Sequence, residues 1–190
     1  MDELQLTLNG DGNLSGVLTE PVVTGMLSLR DGLVAGRNLP VSLEQLQADI
    51  RIDGTSAQLD SRWSSGEQGQ GTLSGSLGWA PLDVDLQLRG SALPVNVEPY
   101  AQLQVAPDLA ITLRDNNLHV GGELAIPEGH IRVRELPASA VTVSPDVVIV
   151  GQEAAEKGAA LGITARVKLN IGDQLRLSAF GLRGRLKGQL

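Results

Sequence analysis

The sequence predicts an all-β protein: one β-rich domain over residues 1–190, built as an elongated curled sheet with an apolar interior and little or no helix. Three observations carry that expectation. Apolar and polar residues alternate at period two along most of the chain, and turn dipeptides separate the alternating runs. Composition adds the third: 42% of residues are hydrophobic but only 2% aromatic, and no amphipathic stretch of about ten or more residues reads as a helix.

The runs come in order. Leu4, Leu6 and Leu8 alternate with Gln5 and Thr7; Leu46, Ala48, Ile50 and Ile52 alternate with Gln47, Asp49 and Arg51. Leu82, Val84, Leu86 and Leu88 follow, then Leu109, Ile111 and Leu113, then Leu118, Val120, Gly122, Leu124 and Ile126. The longest run is Leu161, Ile163, Ala165, Val167, Leu169 and Ile171. At about 3.3 Å per residue it reaches roughly 35 Å, long for a globular strand. Asn9-Gly10-Asp11-Gly12, Asp31-Gly32, Asp53-Gly54, Asp115-Asn116-Asn117, Gly121-Gly122 and Gly172-Asp173 read as reversals between antiparallel strands. The pattern calls for about ten to thirteen strands. Two exceptions stand out: Ser42-Leu43-Glu44-Gln45 has a capping-box arrangement that opens one helical turn, and Gln152 to Gly162 reads as a loop or frayed helix.

An internal repeat links residues 25–42 and 122–139 at an offset of 97 positions. Gly25, Leu27, Gly32, Arg37, Leu39, Pro40 and Ser42 match Gly122, Leu124, Gly129, Arg134, Leu136, Pro137 and Ser139. Each copy reads as a hairpin: strand, acidic-Gly turn, strand, and a Leu-Pro exit where proline ends the pairing.

A sheet with one apolar face must bury it. Without helices it closes as a sandwich or barrel, or it curls into a trough that meets a ligand or partner. Aromatics bury about 150–250 Å² each and usually key small closed cores together. Here Trp63, Trp79, Tyr100 and Phe180 are the whole supply, against 31 leucines. Uniform aliphatics line a smooth surface better than they interlock, which favours the trough.

Charge and chemistry exclude several functions. The net charge is −7, with few aromatic platforms, which argues against nucleic acid binding. After Asp173 no acid remains, while Arg176, Arg183, Arg185 and Lys187 accumulate; the run hints at an anionic partner or surface, and a solvated strand face is its commoner meaning. No cysteine is present, so disulfides, thiolate metal sites and thiol nucleophiles are out. His119 and His130 have no metal-ligand spacing, and His119 is expected to face water. Asp83 and Asp85 lie about 7 Å apart on one strand face, where alternating acids are ordinary. Nothing reads as an active site, and neither a cofactor nor a metal is expected. No apolar run approaches the ~18 residues of a membrane span, and Met1-Asp2-Glu3 is not a signal peptide. The alternation still runs at Leu186-Lys187-Gly188-Gln189-Leu190, so the chain is expected to be a piece of a larger protein.

Two stretches carry a family resemblance. Gly129-His-Ile131-Arg-Val133-Arg-Glu135-Leu136-Pro137 leads into Val141-Thr-Val143-Ser144-Pro-Asp146-Val147-Val148-Ile149-Val150. Gly172-Asp173-Gln-Leu175-Arg-Leu177-Ser-Ala-Phe180-Gly181-Leu182-Arg183-Gly184-Arg185-Leu186-Lys-Gly188 follows later. Together they resemble the C-terminal region of the TamB family, inner-membrane-anchored subunits of the bacterial translocation and assembly module. The resemblance implies a β-taco or β-roll-like trough in the periplasm of a Gram-negative bacterium, with the anchor in a segment absent here. It implies a part in assembling outer-membrane proteins and autotransporters, and in moving phospholipid between inner and outer membranes. The implied partners are the outer-membrane barrel TamA, reached through a segment beyond Leu190, and phospholipid acyl chains or unfolded outer-membrane protein strands. It carries over no catalytic residue.

The expected groove lining is Leu109, Ile111, Leu113, Leu118, Val120, Leu124, Ile126, Ile131, Val133, Ile163, Val167, Leu169, Ile171, Leu175 and Leu177. Inward parity is odd at Leu175 and Leu177 but even at Leu182, Leu186 and Leu190, so a bulge or bend is expected at Phe180-Gly181. The competing functions are a structural or adhesive β-solenoid of the cell surface with a closed core and no cargo, and a carbohydrate-active enzyme.

Overall fold

The computed structural model describes residues 3–17, 20–36, 39–133, 161–180 and 182–189. They form β1 (Glu3–Val17), β2 (Glu20–Ala35), β3 (Leu43–Gly54), β4 (Ser56–Ser65), β5 (Gly69–Trp79) and β6 (Leu82–Ser91). Then come β7 (Leu93–Val97), β8 (Ala101–Arg114), β9 (Asn117–Val133), β10 (Gly162–Ala179) and β11 (Leu182–Gln189). No helix occurs among the described residues. All belong to one 11-stranded sheet with path β1-β2-β3-β4-β5-β6-β8-β9-β10-β11, β7 pairing β8 beyond the end of β6. The path does not close: β1 and β11 are its edges. The fold is therefore the elongated, curled, unclosed sheet that the alternation predicts.

Pairing is antiparallel except between β9 and β10, which run parallel from Gly162↔Asn117 to Ala179↔Val133. A parallel pair needs a long connection. Tight-turn dipeptides cannot announce one, so the sequence reading assumed antiparallel neighbours throughout.

Several expected turns are strand interior. Asp53-Gly54 and Asp115-Asn116 do reverse the chain, with φ of 61° at Gly54, 49° at Asp115 and 61° at Asn116. By contrast Asn9 to Gly12 lie within β1 and Gly121-Gly122 within β9. Asp31-Gly32 and Gly172-Asp173 sit at register shifts inside β2 and β10. The two repeat copies are corrected accordingly. The segments read as hairpins continue as single strands through Asp31-Gly32 and Glu128-Gly129, and positions 134–139 lie outside the described residues. The physical reason is that an acidic-Gly pair suits a bulge as well as a turn: Asp31 takes φ 53°, which inserts an extra residue without reversing the chain. Nor does Ser42 to Gln45 open a helix. Leu43 pairs with Val34 and Glu44 with Ser64, so sheet partners supply the hydrogen bonds that one helical turn would leave unmade. Most of Gln152 to Gly162 lies outside the described residues; Gly162 opens β10.

The irregularities line up. Register shifts fall between Gln5 and Thr7 in β1, Leu29 and Gly32 in β2, Glu44 and Gln47 in β3, Gln104 and Ala106 in β8, and Ile171 and Gln174 in β10. They form a seam across the sheet, and the break between β6 and β7 at Ala92 (φ 48°) lies on it. At the seam β9 carries one more residue than β8, and β10 one more than β9. Bulges increase twist and bend the strand they sit in, here on both flanks of the sheet, while β4, β5 and β6 end at this level. Where β4 and β5 turn back at this level, the gap is bridged from Asn96 N–H to the Pro40 carbonyl at 2.7 Å.

Candidate functional site: an uncovered apolar face

Residues directly opposite in neighbouring strands point to the same face. Below the seam that rule generates three rows. The first runs Leu8, Leu29, Ala48, Ser61, Leu73, Leu88, Leu109, Gly122, Val167. Alongside lies Gly10, Leu27, Ile50, Leu59, Gly75, Leu86, Ile111, Val120, Ala165. Next is Gly12, Gly25, Ile52, Ala57, Leu77, Val84, Leu113, Leu118, Ile163. Above the seam the same face continues as Leu103, Gly129, Leu175, Leu186 and as Ala101, Ile131, Leu177, Gly184. Ten of the fifteen sequence-predicted lining residues stand in these rows, and the other five pair alongside them as Leu124 with Leu169, Ile126 with Ile171 and Val133 with Ala179. The extra residue in β9 is what carries Ile131 and Val133 onto this face, although their parity is opposite to that of Leu118 through Ile126.

The face is not a filled core. Among the described residues the buried apolar side chains are Ala48, Ala57, Leu93 and Leu175, of which Leu175 alone is fully buried. Towards the two edges the rows open to solvent: Leu8 is 59% exposed and Ile163 68%. Contiguous exposed apolar surface of this kind marks an interaction site far more often than it occurs by chance. Sequence reasoning chose its lining residues from position 109 onward and left out the equivalent positions of β2 to β6. Their alternation was legible at Leu46 to Ile52 and Leu82 to Leu88. In β5 glycines at alternate places diluted it.

The opposite face is polar and ion-paired. Arg114 spans Asp83 and Asp85 at 3.1 and 3.4 Å, which accounts for the two acids as a structural clamp. Arg89 pairs with Asp108 at 3.3 Å, and Lys168 reaches Glu123 at 4.0 Å. Asn170 also donates to Glu123. His119 is exposed, and His130 shares a 3.1 Å hydrogen bond with Ser178. No group of residues suited to a metal ion occurs among the described residues. Asp49 accepts hydrogen bonds from Arg30 at 2.7 Å and Ser28 at 2.8 Å, and these hold its carboxyl below the usual aspartate range. A lowered folded-state pKa gives stability that is present above the unfolded value and lost as pH falls through the folded one. Urea titrations of wild type and Asp49→Asn are therefore expected to differ at neutral pH and to converge in acid. A difference that persists in acid would assign it to packing instead.

The expected bend at Phe180-Gly181 falls where Ala179 pairs with Leu182, so β10 and β11 form an antiparallel hairpin. Antiparallel partners there sum to an odd number, which is the origin of the parity change. Phe180 has φ 49°; Gly181 lies outside the described residues.

A family model described as the TamB C-terminal domain matches residues 60–190. The chain is also similar to the translocation and assembly module subunit TamB of Haemophilus influenzae, 23% identical over 193 residues. That match covers 94% of this chain but spans only 15% of the length of the relative. No solved structure matches.

Proposed function

The chain belongs to the TamB C-terminal domain family, one of assembly-module subunits and not of enzymes, and on that premise we propose that its apolar face is a groove for alkyl groups in cell-envelope biogenesis. The proposed setting is the periplasm of a Gram-negative bacterium, within a longer protein anchored to the inner membrane and engaging TamA at the outer membrane. The proposed cargo is phospholipid acyl chains or the apolar side of unfolded outer-membrane and autotransporter strands. One observation carries the reading: the apolar rows are continuous from β1 to β10, yet no described element covers them. Alkyl cargo needs no keyed contacts there, because each buried CH₂ contributes about 0.8 kcal/mol wherever it lies along the rows.

Photo-crosslinking in cells from Ile163, Val167 and Leu169, with Arg166 and Lys168 of the opposite face as controls, tests it. Lipid or client adducts are expected from the first three positions only; equal labelling from both faces would refute the groove. Val167 is 37% exposed, so Val167→Asp is expected to leave the fold intact while cutting adducts at Ile163 and Leu169 by about tenfold, since alkyl chains will not lie against a charge.

A further inference from the structure

We propose that the β10–β11 hairpin tip docks on a phosphate-bearing lipid surface, using a basic groove at the end of the sheet whose arginines stand on the face opposite the apolar rows and whose rim takes in Val133, Leu177 and Leu182 of the apolar face. The groove measures about 970 Å³, and its lining includes His130, Arg132, Arg176, Ser178, Arg183 and Arg185 and no carboxylate. Register makes these residues one patch. His130 lies opposite Arg176, which lies opposite Arg185; Arg132 lies opposite Ser178, which lies opposite Arg183.

Two features set the patch apart from the rest of the polar face. Like charges directly opposite on neighbouring strands cost stability, and Arg176 against Arg185 is such a pair. Elsewhere Arg30, Arg89, Arg114, Lys168 and Lys187 each pair with a carboxylate, and the unpaired Arg51, Arg62 and Arg166 stand singly, none of them opposite another cation. Among the described residues no carboxylate pairs with the four arginines of the groove. In a chain of net charge −7 this is a local concentration of unpaired cations. Guanidinium forks match phosphate oxygens bidentately, so the missing partner is an oxyanion.

The tip supplies the second half of the recognition. Phe180 and Leu182 border the groove and are 66% and 76% exposed. Phe180 holds a left-handed φ of 49°, a costly backbone for an aromatic residue. A free phosphate ion has no use for those side chains. A lipid surface does, because apolar side chains such as Phe and Leu enter the boundary between headgroups and acyl chains while arginines take the phosphates. The groove shares Val133 and Leu177 with the apolar face, but its arginines stand on the other side of the sheet, so the proposal holds whichever cargo the apolar rows carry.

The test is co-sedimentation of the 190-residue chain with phosphatidylcholine vesicles, with and without phosphatidylglycerol. Binding is expected to require phosphatidylglycerol and to weaken with salt. R176Q/R185Q is expected to weaken it roughly thirtyfold, about fivefold per cation removed. Its melting temperature should stay level or rise, because the opposed charges are gone. F180S should weaken binding by about tenfold. R89Q/R114Q removes two cations from carboxylate-paired positions and should leave binding within about twofold. Equal binding to neutral vesicles, or equal loss in the two double variants, overturns the proposal. So does a fall in melting temperature that accompanies the lost binding in R176Q/R185Q. Inorganic phosphate should compete no better than chloride at matched ionic strength; specific displacement by phosphate would mean a free-anion site and would also overturn it. Val167→Asp should bind vesicles normally, which separates this surface from the cargo groove.

Discussion

Gly122→Ala is expected to destabilise the sheet by about 3 kcal/mol or more, enough to unfold a marginal domain. Gly122 sits in the middle of the apolar face between Leu109 of β8 and Val167 of β10. Its φ is 133°, a region that side chains of L-residues rarely enter. A Cβ there would overlap the Asp108 carbonyl oxygen and crowd the Leu109 Cα, both backbone atoms that cannot swing aside. Avoiding the overlap means parting β8 from β9 where three strands share the load. The neighbouring glycine is the control. A Cβ on Gly121 would meet only the Arg166 carbonyl, at an ordinary 3.8 Å, so Gly121→Ala should stay within about 0.5 kcal/mol of wild type. Urea unfolding of the two variants decides the matter, and similar midpoints would refute the close-approach account.

Leu175→Ala carries the second large effect, about 2–5 kcal/mol for a buried leucine whose site cannot collapse. Leu175 is 1% exposed on a face that is otherwise half open. It stands just past the seam, opposite Gly129 on one side and Leu186 on the other, where the doubled-up residues of β10 turn the strand. The cavity would therefore open at the hinge between the two parts of the sheet. Leu182, on the same face but 76% exposed, provides the comparison: Leu182→Ala should cost about 0.5 kcal/mol or less. Hydrogen exchange should show the loss first in β10 and β11. Uniform loss of protection, or equal costs for the two leucines, would show that burial at Leu175 does not anchor the hairpin.

Reading the two faces from the alternation worked because period two is a property of the extended backbone. Leu109, Ile111 and Leu113 share a face whatever they pair with. Reading turns worked less well. Asp53-Gly54 and Asp31-Gly32 are the same dipeptide type, yet one reverses the chain and the other bulges within a strand. Local conformational preference is alike in both; the difference is whether a neighbouring strand continues past the glycine. The parallel β9–β10 pair was beyond local reading for the same reason, since its partners are joined only through the long stretch of residues 134–160. The basic groove was half legible. The run Arg176, Arg183, Arg185 and Lys187 was visible, but not that Lys187 pairs with Asp173 at 2.6 Å while Arg176 and Arg185 face one another.

What the sequence by itself determined is the material of the sheet: strands, one aliphatic face, one polar face, and too few aromatics to key a closed core. Those follow from residue type and backbone period, which act within a few positions along the chain. Only the tertiary structure decided the register, the seam at which some strands bulge and others end, the parallel pair, and the gathering of unpaired arginines beside Phe180. Each depends on which backbone lies alongside which, and that is set by pairing over many strands at once.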